Sequence, residues 1–119
     1  MKNELISYKT AKLAKEKGFN EQVQDWIYDD GDKLNLLREF DGFMLPVWKN
    51  DDEETGYAVP TQSLLQRWLR EKHNIHITIW FNELTEKYRI DIPEDISEVE
   101  YKTYEEALEY ALYEALKLI

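Results

Sequence analysis

The sequence predicts an α+β fold. A small antiparallel sheet, including a hairpin over residues 75–81 and 87–92, packs against helices at about 7–17, 61–73 and 104–118. Two observations carry this reading. In "TQSLLQRWLREKHNIHITIWF" (Thr61 to Phe81) the apolar period changes at Asn74. Before it, Leu64, Leu65, Trp68 and Leu69 follow one helical face; after it, Ile75, Ile77, Ile79 and Phe81 alternate with His76, Thr78 and Trp80. The second observation is the stretch from Thr103 onward. Thr103 with Glu106 makes a capping box, and Ala107, Leu108, Ala111, Leu112, Ala115 and Leu116 form one apolar stripe behind it.

The remaining elements follow in order. "SYKTAKLAKEKGF" is a first helix, with Ser7 as N-cap and Gly18 in the left-handed position that ends it. Tyr8, Ala11 and Ala14, with Leu13 nearby, make its narrow apolar stripe, and Lys9, Lys12 and Lys17 face water. Residues 19–60 hold one to three short strands. "QVQDWIY" alternates loosely, "DDGDK" is a turn, "LNLLREF" reads as a strand or a short helical turn, and "GFMLPVW" is a β-like edge because of Pro46. "KNDDEETG" is a charged loop, and "YAVP" leads into the next helix, which begins at Pro60 and Thr61. Asn74 is the left-handed residue that closes that helix. "NELTE" connects the hairpin, and Tyr88, Ile90 and Ile92 share a face with the isoleucines of the preceding strand. "PEDISEVE" reads as an acidic connection into the last helix. The helices at 61–73 and 104–118 are expected to pack on the face made by Ile75, Ile77, Ile79, Tyr88 and Ile90.

A chain of 119 residues is expected to form one domain spanning 1–119. Its hydrophobic fraction of 43 % supports a proper core. There is no cysteine, which excludes disulfides, thiol nucleophiles and cysteine-held zinc. "MKNELISYKT" lacks the apolar run of a signal peptide, and no stretch reaches the ~18 apolar residues of a membrane span, so a cytoplasmic protein is expected. The net charge is −10, but it is unevenly spread. Residues 1–18 and 61–81 are mildly basic, at +3 and +2, whereas 19–60 and 82–119 carry −8 and −7. Such a field repels nucleic acid and lipid headgroups and favours a basic partner.

Four kinds of chemistry each have a simpler reading beside them. His73 and His76, with Glu71 or Glu83, have the spacing of metal ligands. They straddle a helix end and a strand start, so the simpler reading is a dipole-facing histidine and a surface histidine. "DDGDK" and "DDEE" are acidic enough for calcium but lack the loop pattern that holds it, and read as solvated turns. Gln62, Gln66, Arg67 and Arg70 give the 61–73 helix a polar face of the kind that reaches bases or phosphates, but a strand rather than a second helix follows it. The acids Asp91, Glu94, Asp95, Glu98, Glu100, Glu105, Glu106, Glu109 and Glu114 are dense enough to imitate phosphates, and equally make a solvated face. No nucleophile elbow or phosphate-cradling glycine loop is present. Exposed aromatics are the better lead. Trp80 points away from the isoleucine face, and Trp26, Trp48 and Tyr57 lie in the irregular region. Trp80 either belongs to an apolar patch suited to a partner or is covered by the 19–60 segment.

Three blocks, "ISYKTAKLAKEKGF", "VPTQSLLQRWLREKHNIHI" and "YEEALEYALYEALKLI", together resemble a family of short uncharacterised proteins of Bacteroidetes bacteria and their phages. In that family the blocks commonly look like "ISYETAKLAKEKGF", "APTQSLLQKWLREKHNI" and "SYEEALEAGLLEALKLI". Val59 stands where the family usually has Ala, and Tyr110 where a smaller residue is common. The stretch between the first two blocks lies outside the likeness. The resemblance implies a mobile-element or prophage context and carries over no catalytic residue.

The expectation is therefore a non-catalytic accessory or protein-interaction domain, with a protein partner or self-association. The alternative is a nucleic-acid-related regulator, acting through direct contact by the 61–73 helix or as an acidic DNA mimic. A metal-dependent enzyme comes third. The interaction surface is expected at Gln62, Gln66, Arg67, Arg70, His76 and Trp80. No catalytic, cofactor-binding or metal-binding residue is assigned, and membrane and nucleic-acid partners are disfavoured.

Overall fold

The computed structural model describes residues 4–23, 26–30, 33–37, 50, 56–93 and 95–119, of which 26–30, 33–37 and 95–98 are described by their backbone alone. Where length alone gives one domain, these residues group into two compact units: Leu5–Thr61, and Gln62–Ile119 with Glu4.

In the first unit, α1 (Tyr8–Glu16) starts at Ser7, whose hydroxyl accepts from the Thr10 amide. Its end is a Schellman closure. Gly18, at φ 93°, donates to the Lys15 carbonyl, and the Phe19 amide donates to the Ala14 carbonyl. This geometry turns Phe19 into the interior, where it is fully buried. Ala11 and Ala14 are buried as expected. Thr10 is buried as well, because its hydroxyl is satisfied by Ser7 at 3.1 Å. Three strands accompany the helix: β1 (Trp26–Asp30), β2 (Lys33–Leu37) and β3 (Tyr57–Ala58), in the order β2-β1-β3. The β1–β2 pairing runs antiparallel from Trp26↔Leu37 to Asp30↔Lys33, so "LNLLREF" begins as strand. The "GFMLPVW" edge lies outside the described residues, as does the "KNDDEETG" loop apart from Asn50 and Gly56. Asn50 is buried and braces this unit: its Nδ2 donates to the Phe19 carbonyl at 2.6 Å, and its Oδ1 accepts from the Ala58 amide at 2.8 Å.

The second unit holds α2 (Gln62–His73), β4 (Thr78–Asn82), β5 (Lys87–Ile92), β6 (Asp95–Tyr101) and α3 (Tyr104–Leu116). The sheet order is β4-β5-β6, antiparallel throughout. Asn74 takes φ 54°, the left-handed conformation expected of it. The strand that follows starts later than its alternation suggests. The Ile75 amide bonds back to the Leu69 carbonyl and closes the helix, residues 74–77 belong to neither element, and the ladder begins at Thr78.

The "PEDISEVE" segment is corrected from a connection to a strand, β6, on the free edge of β5. Its register explains why the pattern hides it. Tyr88↔Tyr101 and Arg89↔Glu100 are in step, but Asp91 pairs with Ile96 across a register shift. Two extra residues on β6 interrupt the ladder between these pairs, and Ile96 is out of step with Val99 and Tyr101, so the apolar residues keep no period of two along the strand.

All six residues of the α3 stripe are buried. Thr103 accepts from the Glu106 amide at its N-terminus, with Glu105 and Glu106 in the first turn. Ala107 and Ala111 sit directly on Ile90 and Ile92, with Ile77, Ile79, Tyr88 and Tyr101 around them. It is α3 that lies across the sheet. α2 lies beside α3, with Leu65, Trp68 and Leu69 buried.

Three variants test these assignments. Ile90 is 1 % exposed, so Ile90→Asp buries an unpaired charge and is expected to abolish cooperative thermal melting, while Ile77→Asp, at the half-buried margin, lowers the midpoint and keeps cooperativity. Asn50→Ala removes the partners of two buried backbone groups and is expected to cost about 2–4 kcal/mol in urea unfolding. Glu86, at φ 58° in the turn after β4, pays the left-handed penalty of an L-residue; Glu86→Gly is expected to raise stability by about 0.5–1 kcal/mol in the same assay.

Candidate functional site

The residues singled out from sequence take different places. Gln62 is 6 % exposed and its Nε2 donates to the Glu105 carbonyl and to Glu109 Oε1, at 3.0 and 3.3 Å. It belongs to the interior of the unit, not to an exposed face. Gln66 is half-buried and donates to the Ile77 carbonyl. Arg67 and Arg70 are exposed, so the polar face of α2 reduces to two cations. His73 is half-buried with its ring edge-on to Trp68 at 4.7 Å, and His76 is exposed with Nε2 at 3.1 Å from Asn74 Oδ1. The two imidazoles thus have separate neighbours. Among the described residues, no three His, Asp or Glu side chains gather in metal-holding geometry. Residues 31–32 and 51–54, within the proposed calcium segments, lie outside the described residues. A cavity of about 210 Å³ is lined by His73, Asn74, Ile75, Pro93, Leu118 and Ile119, small against the ~300–1,000 Å³ of typical ligand pockets.

Trp80 is the informative residue. Alternation along β4 turns Thr78, Trp80 and Asn82 to the face opposite α3, and Trp80 is 43 % exposed there. Its partner across the ladder is Arg89, whose guanidinium lies 4.9 Å from the indole ring centre. Arg89 Nε is shielded from water and has no hydrogen-bond partner among the described residues. In the same row Glu100 stands opposite Arg89 on β6, yet its carboxylate turns toward the β4 end of the sheet. Glu100 Oε2 accepts from Asn82 Nδ2 at 3.1 Å and from Thr85 Oγ1 at 2.7 Å. Asp91 is exposed and pairs with Thr78 at the other end of β4.

The α3 side of the same strand is also partly open. Phe81 is 46 % exposed although alternation points it toward the core face. It lies past the end of the α3 cover and packs against Tyr88 at 5.1 Å, which in turn meets Tyr104 at 6.0 Å. β4 is thus an edge strand with an exposed aromatic on each face and no charged residue of its own. Arg89 and Glu100 are absent from the residues the sequence singled out for a contact surface. The signal was the register: once 75–81 pairs with 87–92, Arg89 falls across from Trp80, whereas the reach of Glu100 depended on the unrecognised β6.

Elsewhere, Tyr57 is half-buried against Tyr8 at 5.5 Å, and Lys15 Nζ lies over its ring while donating to the Gly56 carbonyl. These contacts belong to the packing of the first unit. Trp48 lies outside the described residues, and Trp26 is described by its backbone alone. Among the described residues no helix is long and apolar enough to cross a membrane. No family model, curated protein or solved structure matches the chain.

Proposed function

We propose that this chain is a non-catalytic protein-interaction domain that engages its partner through the β4 edge, and that it acts in the cytoplasm as an accessory of a phage or mobile element. The mobile-element context rests on the resemblance of its three sequence blocks. The interaction reading rests on one observation: β4 presents Trp80 at 43 % and Phe81 at 46 % exposure on a sheet edge with no further strand among the described residues. Large aromatics at an open edge supply contact area at low entropic cost, and their enrichment at interface centres follows from this. The strand's outward amides and carbonyls supply directional bonds beside them.

The α2 face is the competing surface, with Arg67 and Arg70 exposed. The net charge of −10 works against its use on nucleic acid. Affinity capture from host cells separates the two surfaces. A partner held by the native chain is expected to be lost with Trp80→Ala and retained with the Arg67→Gln, Arg70→Gln double variant. Loss on the arginine variant alone, together with a salt-sensitive shift of mixed-sequence DNA, would transfer the function to α2.

A further inference from the structure

We draw no further inference here: the strongest candidate, the aromatic surface that Phe81, Tyr88 and Tyr101 form in one row across β4, β5 and β6 on the α3 side, with Tyr104 and Tyr110 of α3 against it, is an apolar face for which nothing in the structure shows what covers it.

Discussion

The close approach of α3 to β5 is the constraint on which the second unit depends. Ala107, Ala111 and Ala115 are fully buried, and their small side chains let the helix axis come near the sheet. Ile90 and Ile92 then fill the space beneath them, at 1 % and 2 % exposure. Each such burial stabilises by about 1.5–3 kcal/mol. Because β5 is the central strand, these two side chains also fix the register of both neighbours. A slip of one residue would turn Ile90 outward and Arg89 inward, which is why the ladder tolerates no alternative. The outward row of Trp80, Arg89 and Glu100 is a consequence of that inward packing and not a separate invention of the sequence.

Two buried amide side chains brace the units where regular hydrogen bonding stops. Asn50 joins the segment after α1 to β3, through the Phe19 carbonyl and the Ala58 amide. Gln62, at the start of α2, joins that helix to α3 through the Glu105 carbonyl. An amide carries both a donor and an acceptor, so Asn50 satisfies two backbone groups that burial would otherwise leave unpaired, while Gln62 shares its Nε2 between the Glu105 carbonyl and Glu109 Oε1. Both residues are short polar letters in polar-looking contexts, and their burial is a property of what surrounds them in space.

That contrast explains how far the sequence was legible. Local signals read correctly: the Ser7 and Thr103 caps, the left-handed Gly18 and Asn74, the complete α3 stripe and the hairpin itself, although its first strand begins at Thr78 and not at residue 75. Each depends on residues within a turn or a hairpin of one another. What escaped depends on distant partners or on broken periodicity. β6 was hidden by its register shift, and Gln62 looked solvent-facing because Glu105 is far along the chain. Of the contact surface, the outward direction of Trp80 was legible from alternation alone. The guanidinium stacked on it required the hairpin register, and the turn of Glu100 toward Asn82 required a third strand.

An aromatic edge strand, unpaired on its outer side among the described residues, carries a hazard, since identical strands are always able to pair with one another. The strand itself holds five uncharged residues. Screening at physiological ionic strength confines strong repulsion to about 8 Å, so the acids that matter are those near β4 and not the distant ones. Glu83 and Glu86 in the following turn are exposed, Asp91 and the exposed cation Lys87 stand one strand in beside Thr78 and Asn82, and Glu100 reaches across from β6. Paired β4 edges would bring these carboxylates from both copies together, whereas Arg89, stacked on Trp80, would face its own equivalent. Any bar to pairing of identical strands therefore comes from charges placed around β4, since it has none within it.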